Sequence, residues 1–174
     1  PSEIIQEVVS YPPTCESKND GQLLFRASGG TPFPYQKTLF TTLWSNSSSN
    51  GIMFDITVNK KVKLKRITLS LPSSSMQQLS IFFKQGTMVG AETDSTQWQL
   101  VNSFSVTGMG NDEDTPLDIS SLDELLPGRY AFYVYNHSGK INSVTSSVIG
   151  NTFNYDHILT VHDGLSRDQS ASVF

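Results

Sequence analysis

An all-β, jelly-roll-like sandwich of about eight or nine antiparallel strands, led in by an N-terminal arm, is the fold this sequence predicts. Three observations carry the prediction. Apolar residues recur with period two rather than the helical 3.6. Gly, Pro, Asn and Asp interrupt those runs at short intervals. Charged residues make up only 16% of the 174 residues, in a chain rich in Ser, Thr and Asn.

Taken in order, Ile4-Ile5-Gln6-Glu7-Val8-Val9 is a short β-prone run that ends at Pro12-Pro13 and reads as an arm or first strand. Gly21 to Ala27 supplies a second strand through Leu23 and Phe25. The paired Gly and spaced Pro from Ser28 to Tyr35 then impose turns and extended backbone. From Gly51, Ile52, Phe54, Ile56 and Val58 fall on one face and Met53, Asp55, Thr57 and Asn59 on the other, the pattern of a half-buried strand. Val62 and Leu64 continue it, and the jump in parity to Ile67, Leu69 and Leu71 predicts a β-bulge near Lys65-Arg66. Leu79, Ile81 and Phe83 predict a further strand. So do Trp98, Leu100, Phe104 and Val106, with a polar interruption at Asn102. Between these two strands, Lys84 to Trp98 reads as an inserted loop.

Gly110 to Pro116 reads as an acidic loop, and Leu117 to Leu126 as either a strand or a single helical turn before Pro127-Gly128. Tyr130-Ala131-Phe132-Tyr133-Val134-Tyr135 is aromatic or β-branched almost throughout, as expected of a central strand buried on both faces. Val144 to Ile149 and Ile158 to Val161 close the set. The expected organisation is residues 1–35 as arm and lead-in, 36–163 as the sandwich and 164–174 as a polar tail.

Composition narrows the class. A formal charge of -4 opposes a general nucleic-acid binder, which presents a dominant positive field. No apolar run approaches the roughly 20 residues that span a bilayer as a helix. Cys15 is the single cysteine, so an intrachain disulfide is excluded; an inert thiol or an intermolecular bond is left. The chain opens at Pro1 without Met, as after removal of a leader or from a larger polypeptide. Asn46-Ser47-Ser48 and Asn136-His137-Ser138 are glycosylation acceptors if the source glycosylates proteins, and both are expected on surface loops.

No nucleophile elbow, zinc helix, phosphate loop or dinucleotide fingerprint is present, so the expectation is a protein that is not an enzyme. His157 and His162 are five apart, on opposite faces of an extended strand, and could share a metal only across a turn. Asp112, Glu113 and Asp114 supply the oxygen-rich chemistry that Ca²⁺ prefers, without the spacing of a defined calcium loop; a solvated loop is the plainer reading. Lys61, Lys63 and Lys65 alternate into a basic stripe. Such a stripe suits an anionic glycan or lipid surface, or serves only to discourage edge-to-edge aggregation. Tyr35, Trp44 and Tyr155 are candidate platforms for sugar rings; Trp44 is equally a core candidate, and Trp98 is read as core because Leu100 shares its parity.

Several ordered blocks carry a family resemblance. They are Gly51-Ile52-Met53-Phe54-Asp55-Ile56, Ile81-Phe82-Phe83-Lys84-Gln85-Gly86-Thr87, Val89-Gly90, Glu92, Trp98-Gln99-Leu100, Leu126 through Val134, and Gly150-Asn151. Together, over roughly residues 40 to 163, they resemble a bacterial secreted or cell-surface jelly-roll-like accessory domain, a class often without assigned activity. The chain departs from that pattern in lacking a second bulky aromatic near Met88 and in its long N-terminal extension. Cys15, Asn19-Asp20-Gly21, Ser28-Gly29-Gly30-Thr31-Pro32 and Tyr35 resemble the opening of a repeat in gliding-motility-type bacterial adhesins.

The resemblance implies a secreted or cell-surface location; by fold analogy the expected function is a noncatalytic recognition or adhesion module, with shallow carbohydrate contact as the ligand class. The rival expectation is a structural subunit of a surface filament or other assembly. There Ile4, Ile5, Val8 and Val9 would add a strand to a neighbour's sheet.

Overall fold

The computed structural model describes residues 5–11, 22–28, 36–39, 45–144, 148–168 and 174. The chain divides into two compact units, Pro1–Thr38 and Leu39–Phe174. In the first, β1 (Ile5–Tyr11) pairs antiparallel with β2 (Gln22–Ser28), in a register running from Ile5 opposite Ser28 to Tyr11 opposite Gln22. Ile5, Val8 and Val9 of the expected arm therefore belong to a hairpin within their own unit. Ile4, Cys15, Tyr35 and Trp44 lie outside the described residues.

Among the described residues the second unit holds eleven strands. They are β3 (Ser47–Ser49), β4 (Gly51–Val58), β5 (Arg66–Leu71), β6 (Met76–Gln85), β7 (Gln99–Thr107), β8 (Gly110–Asp118), β9 (Gly128–Asn136), β10 (Ile141–Ser143), β11 (Thr152–Tyr155), β12 (Leu159–His162) and β13 (Leu165–Arg167). Their pairing is nested: β6 with β7, β5 with β8, β4 with β9, and β3 with β10, all antiparallel. A long hairpin wound on itself pairs in this order, and these eight strands form a jelly roll. β9 bridges β4 and β6 in one sheet, with β7 beyond β6. β3, β10, β5 and β8 make the opposing layer, where β10 lies beside β5 and Asn142 donates to the Ser70 hydroxyl at 3.0 Å. β12, β11 and β13 extend the first sheet from β4.

Alternation along the strands places the core between the layers. Ile56, Val58, Leu79, Ile81, Phe132 and Val134 from one sheet meet Leu69, Leu71, Leu117 and Ile141 from the other, all buried. Removing such side chains from water is the main stabilising term, about 1.5–3 kcal/mol for each large residue. The opposite face of β4 and β9 is also covered. Met53, Ala131, Tyr133 and Tyr135 form a second cluster with Met88, Ala91 and Trp98 of the Lys84–Trp98 segment. Hence the apolar run of β9 faces protein on both sides.

Four local expectations are corrected. There is no bulge at Lys65-Arg66: β4 ends at Val58 and β5 starts at Arg66 in the other sheet, so the parity jump marks a crossing between layers. The bulge falls instead in β7, where Ile81 faces Asn102 but Phe82 faces Leu100, leaving Val101 unmatched. That extra residue turns Leu100 to solvent while Val101, Phe104 and Val106 pack on the core. The acidic segment lies within β8 rather than in a free loop: Leu69 pairs with Thr115 and Leu71 with Gly110, so residues 111–114 bow out between two rungs. Asp112 takes a left-handed φ of 60° there, and its amide donates to the Ser70 hydroxyl at 3.1 Å. Of the strand expected over Val144 to Ile149, Val148 and Ile149 occupy an exposed turn, residues 145–147 lie outside the described residues, and pairing occurs earlier in β10.

Candidate recognition surfaces

The Lys84–Trp98 segment is held by one buried acid. Asp55 points from the outer face of β4 and is 1% exposed; its carboxylate accepts from the Thr87 hydroxyl at 2.5 Å, the Met88 amide at 2.8 Å and Arg129 Nε at 2.9 Å. Arg129 Nη2 reaches the same carboxylate at 2.8 Å. Four donors on one carboxylate offset its removal from water. The loop closes on itself as Trp98 Nε1 donates to the Ala91 carbonyl at 2.8 Å and Lys84 Nζ to the Thr87 carbonyl at 2.7 Å. Asp94 caps the 3-10 turn Ser95–Gln97, and hydrogen bonds from Thr96 and then Gln97 hold its carboxyl below the usual range. Trp98 is buried as expected, but through this loop and not through the parity of Leu100, which is exposed.

Beneath the loop lies an aromatic box. Phe82 stacks on Tyr133 at 5.8 Å, and Trp98 meets Tyr133 at 6.1 Å. Phe174 sits among them, with ring centroids 5.0 Å from Phe82, 5.3 Å from Tyr133 and 6.0 Å from Trp98. Burial pushes the Tyr133 phenol well above its ordinary value, with the Arg167 charge opposing that rise. Neither Phe174 nor Arg167 stands out in the sequence, since only β13 pairing with β4 brings the expected polar tail onto this sheet.

A second surface lies at the sheet edge. β11 is the outermost strand, and its Tyr155 is 70% exposed and Phe153 40% exposed. Val148 and Ile149 in the preceding turn are also exposed. Tyr155, expected as a platform, thus stands with three apolar neighbours in sequence that the sequence reading did not single out. Asp156 orders the turn after β11 by accepting from the amides of Ile158 and Leu159 at 2.7 and 2.8 Å.

The remaining candidates are dispersed. Lys61, Lys63 and Lys65 are exposed and alternate with half-buried Val62 and Leu64, so the stripe exists in the β4–β5 connection. Lys61 pairs with Glu124 at 2.5 Å and Lys63 donates to the Leu122 carbonyl, which ties two of the three to the β8–β9 connection. Asp112, Glu113 and Asp114 are exposed, and among the described residues no three His, Cys, Asp or Glu side chains converge as metal ligands. Asp118, nearby in β8, is lowered by hydrogen bonds from the Ser120 side chain and amide. His162 bonds Thr57 Oγ1 at 2.8 Å and the Gly150 carbonyl at 3.2 Å, a role that joins β12 to β4 and to the turn before β11.

The two sequons differ. Asn46 is exposed, whereas Asn136 ends β9 fully buried, its Nδ2 donating to Gln77 Oε1 and to the Lys140 carbonyl. The expected surface loop is absent at Asn136 because the side chain closes the β9–β10 turn, and a glycan there has no room in this fold.

Among the described residues no helix is long and apolar enough to cross a membrane. Comparison with protein-family models, with curated proteins and with solved structures returned no match. The fold and surfaces define the class: an all-β jelly-roll sandwich with an aromatic sheet edge and an aromatic box on its outer face.

Proposed function

We propose that this chain is a noncatalytic recognition or adhesion module of a secreted or cell-surface protein, and that it contacts carbohydrate through the edge of its larger sheet. The exposure of Tyr155 and Phe153 on β11, a few residues along the chain from exposed Val148 and Ile149, carries the reading. Exposed apolar groups gathered along a few residues of one edge are the usual mark of an interaction site. Aromatic rings there offer flat faces to the C–H groups of a sugar, while exposed Asn151 and His157 nearby in the chain offer hydrogen-bonding groups. The resemblance of the ordered blocks to bacterial surface accessory domains supports the same class.

The experiment is a broad glycan array probed with the intact protein and with Phe153→Ala/Tyr155→Ala. The reading expects at least one glycan class to bind, with signal lost in the double variant. Equal signal from both proteins, or none from either, sinks it.

Assembly is the second reading, and the β1–β2 hairpin favours it. Among the described residues the hairpin forms a sheet of two strands, which is marginal in water, so further pairing along its edge would stabilise it. Deleting residues 1–38 tests this by light scattering: a reduced oligomeric state supports assembly through the hairpin, and an unchanged one removes it.

A further inference from the structure

The aromatic box on the outer face of the larger sheet is filled by a ring that does not complete it. Tyr133 is fully buried, yet its hydroxyl has no hydrogen-bond partner among the described residues, and the same is true of the buried Arg167 Nε. A Cβ at Gly51 would stand 3.1 Å from the Tyr133 hydroxyl and 2.7 Å from its ring, and Arg167 pairs with Gly51 across the β4–β13 ladder. Burying a donor without a partner is costly, and an acceptor oxygen brought into the box would relieve either the Tyr133 hydroxyl or Arg167 Nε. Phe174 supplies a six-membered ring to the apolar walls and nothing to either donor. It meets Phe82 and Tyr133 edge to face, at interplanar angles of 81° and 77°, a C–H to π contact.

We propose that this box is a second ligand site, that its ligand is a pyranose unit of a glycan, and that Phe174 is a resident plug which the ligand displaces. A pyranose presents C–H groups to Phe82, Tyr133 and Trp98 as Phe174 does, and its ring or hydroxyl oxygens accept from the Tyr133 hydroxyl or Arg167 Nε. The plug lowers apparent affinity by the fraction of time it occupies the box. The inference rests on the reading of the domain as a carbohydrate-recognition module, but at a different face.

The test uses the full chain carrying Trp44→Phe, so that Trp98 is the only indole. Cello-, xylo-, manno- and laminari-hexaose are titrated while Trp98 emission is followed, with and without Phe174→Ser. Circular dichroism confirms the fold of each variant. At least one hexaose is expected to shift Trp98 emission, with affinity rising about tenfold or more once the plug is removed, in keeping with the loss of one buried aromatic contact. Adding Tyr133→Phe to the unplugged chain keeps the ring and should lose at least tenfold of that affinity.

No Trp98 response to any hexaose in the unplugged chain overturns the proposal, as does an affinity indifferent to Phe174 and Tyr133. Displacement only by a phenylalanine-containing peptide also overturns it, and would assign the box to peptide. Array binding lost with Phe153 and Tyr155 but without a Trp98 response sinks this inference alone. A Trp98 response with a silent edge sinks the edge reading alone.

Discussion

Replacing Asp55 by Ala tests the physical basis of the covered outer sheet face. The substitution leaves the Met88 amide and Thr87 hydroxyl without their acceptor and frees Arg129. Breaking a buried ion pair from one side costs about 3–5 kcal/mol. The Arg129 side chain is 41% exposed and regains water, which favours the lower end, about 3 kcal/mol, of that range. For a domain of this size that lowers Tm by roughly 9 °C. Thr87→Ala, which removes one donor, should cost about 1–2 kcal/mol. Because both contacts share one carboxylate, the double variant should fall short of additivity by at least about 0.5 kcal/mol. Urea unfolding followed by circular dichroism and by Trp98 emission in a Trp44→Phe background measures all three. In Asp55→Ala, Trp98 emission should also change under native conditions as the loop loosens. A loss below about 0.5 kcal/mol with unaltered Trp98 emission would refute the clamp, since a surface substitution does no more than that.

Three further outcomes follow from the same geometry. Gly164→Ala would place its Cβ 1.9 Å from the Met53 carbonyl oxygen, and backbone cannot yield there cheaply. Hydrogen exchange should accelerate at β13 and adjoining β4, and unchanged protection would contradict the packing. Tyr133→Phe in the otherwise intact chain removes a buried hydroxyl without a partner among the described residues, so stability should hold or rise by about 1 kcal/mol in urea unfolding; a loss of that size would reveal a partner. Millimolar Ca²⁺ should leave Tm and calorimetric titration flat, because Asp112, Glu113 and Asp114 bow outward without converging; saturable heat would reverse that view.

Period two was legible where strands face one core. Ile52 through Val58 and Leu79 through Phe83 lie on the faces expected, and β9 is central and buried as its composition implies. Nested pairing was legible only as a class, because strand partners are far apart in sequence. Parity shifts misled for a definable reason. A bulge and a crossing between sheets both move the apolar phase by one residue, and the chain uses the crossing at Lys65-Arg66 and the bulge at Val101. At the surfaces, Tyr155 could be singled out as an aromatic in a polar stretch. The box could not be read, since Phe82, Trp98, Tyr133, Arg167 and Phe174 carry no local pattern and meet only through the tertiary fold.

The measurement that bears most directly on the recognition role is an amide ¹H–¹⁵N titration of the intact protein with a glycan selected on the array. Perturbations centred on Val148–His157, with saturation lost in Phe153→Ala/Tyr155→Ala, are the predicted result. A bound glycan whose perturbations leave both that edge and the aromatic box unmoved would contradict the account.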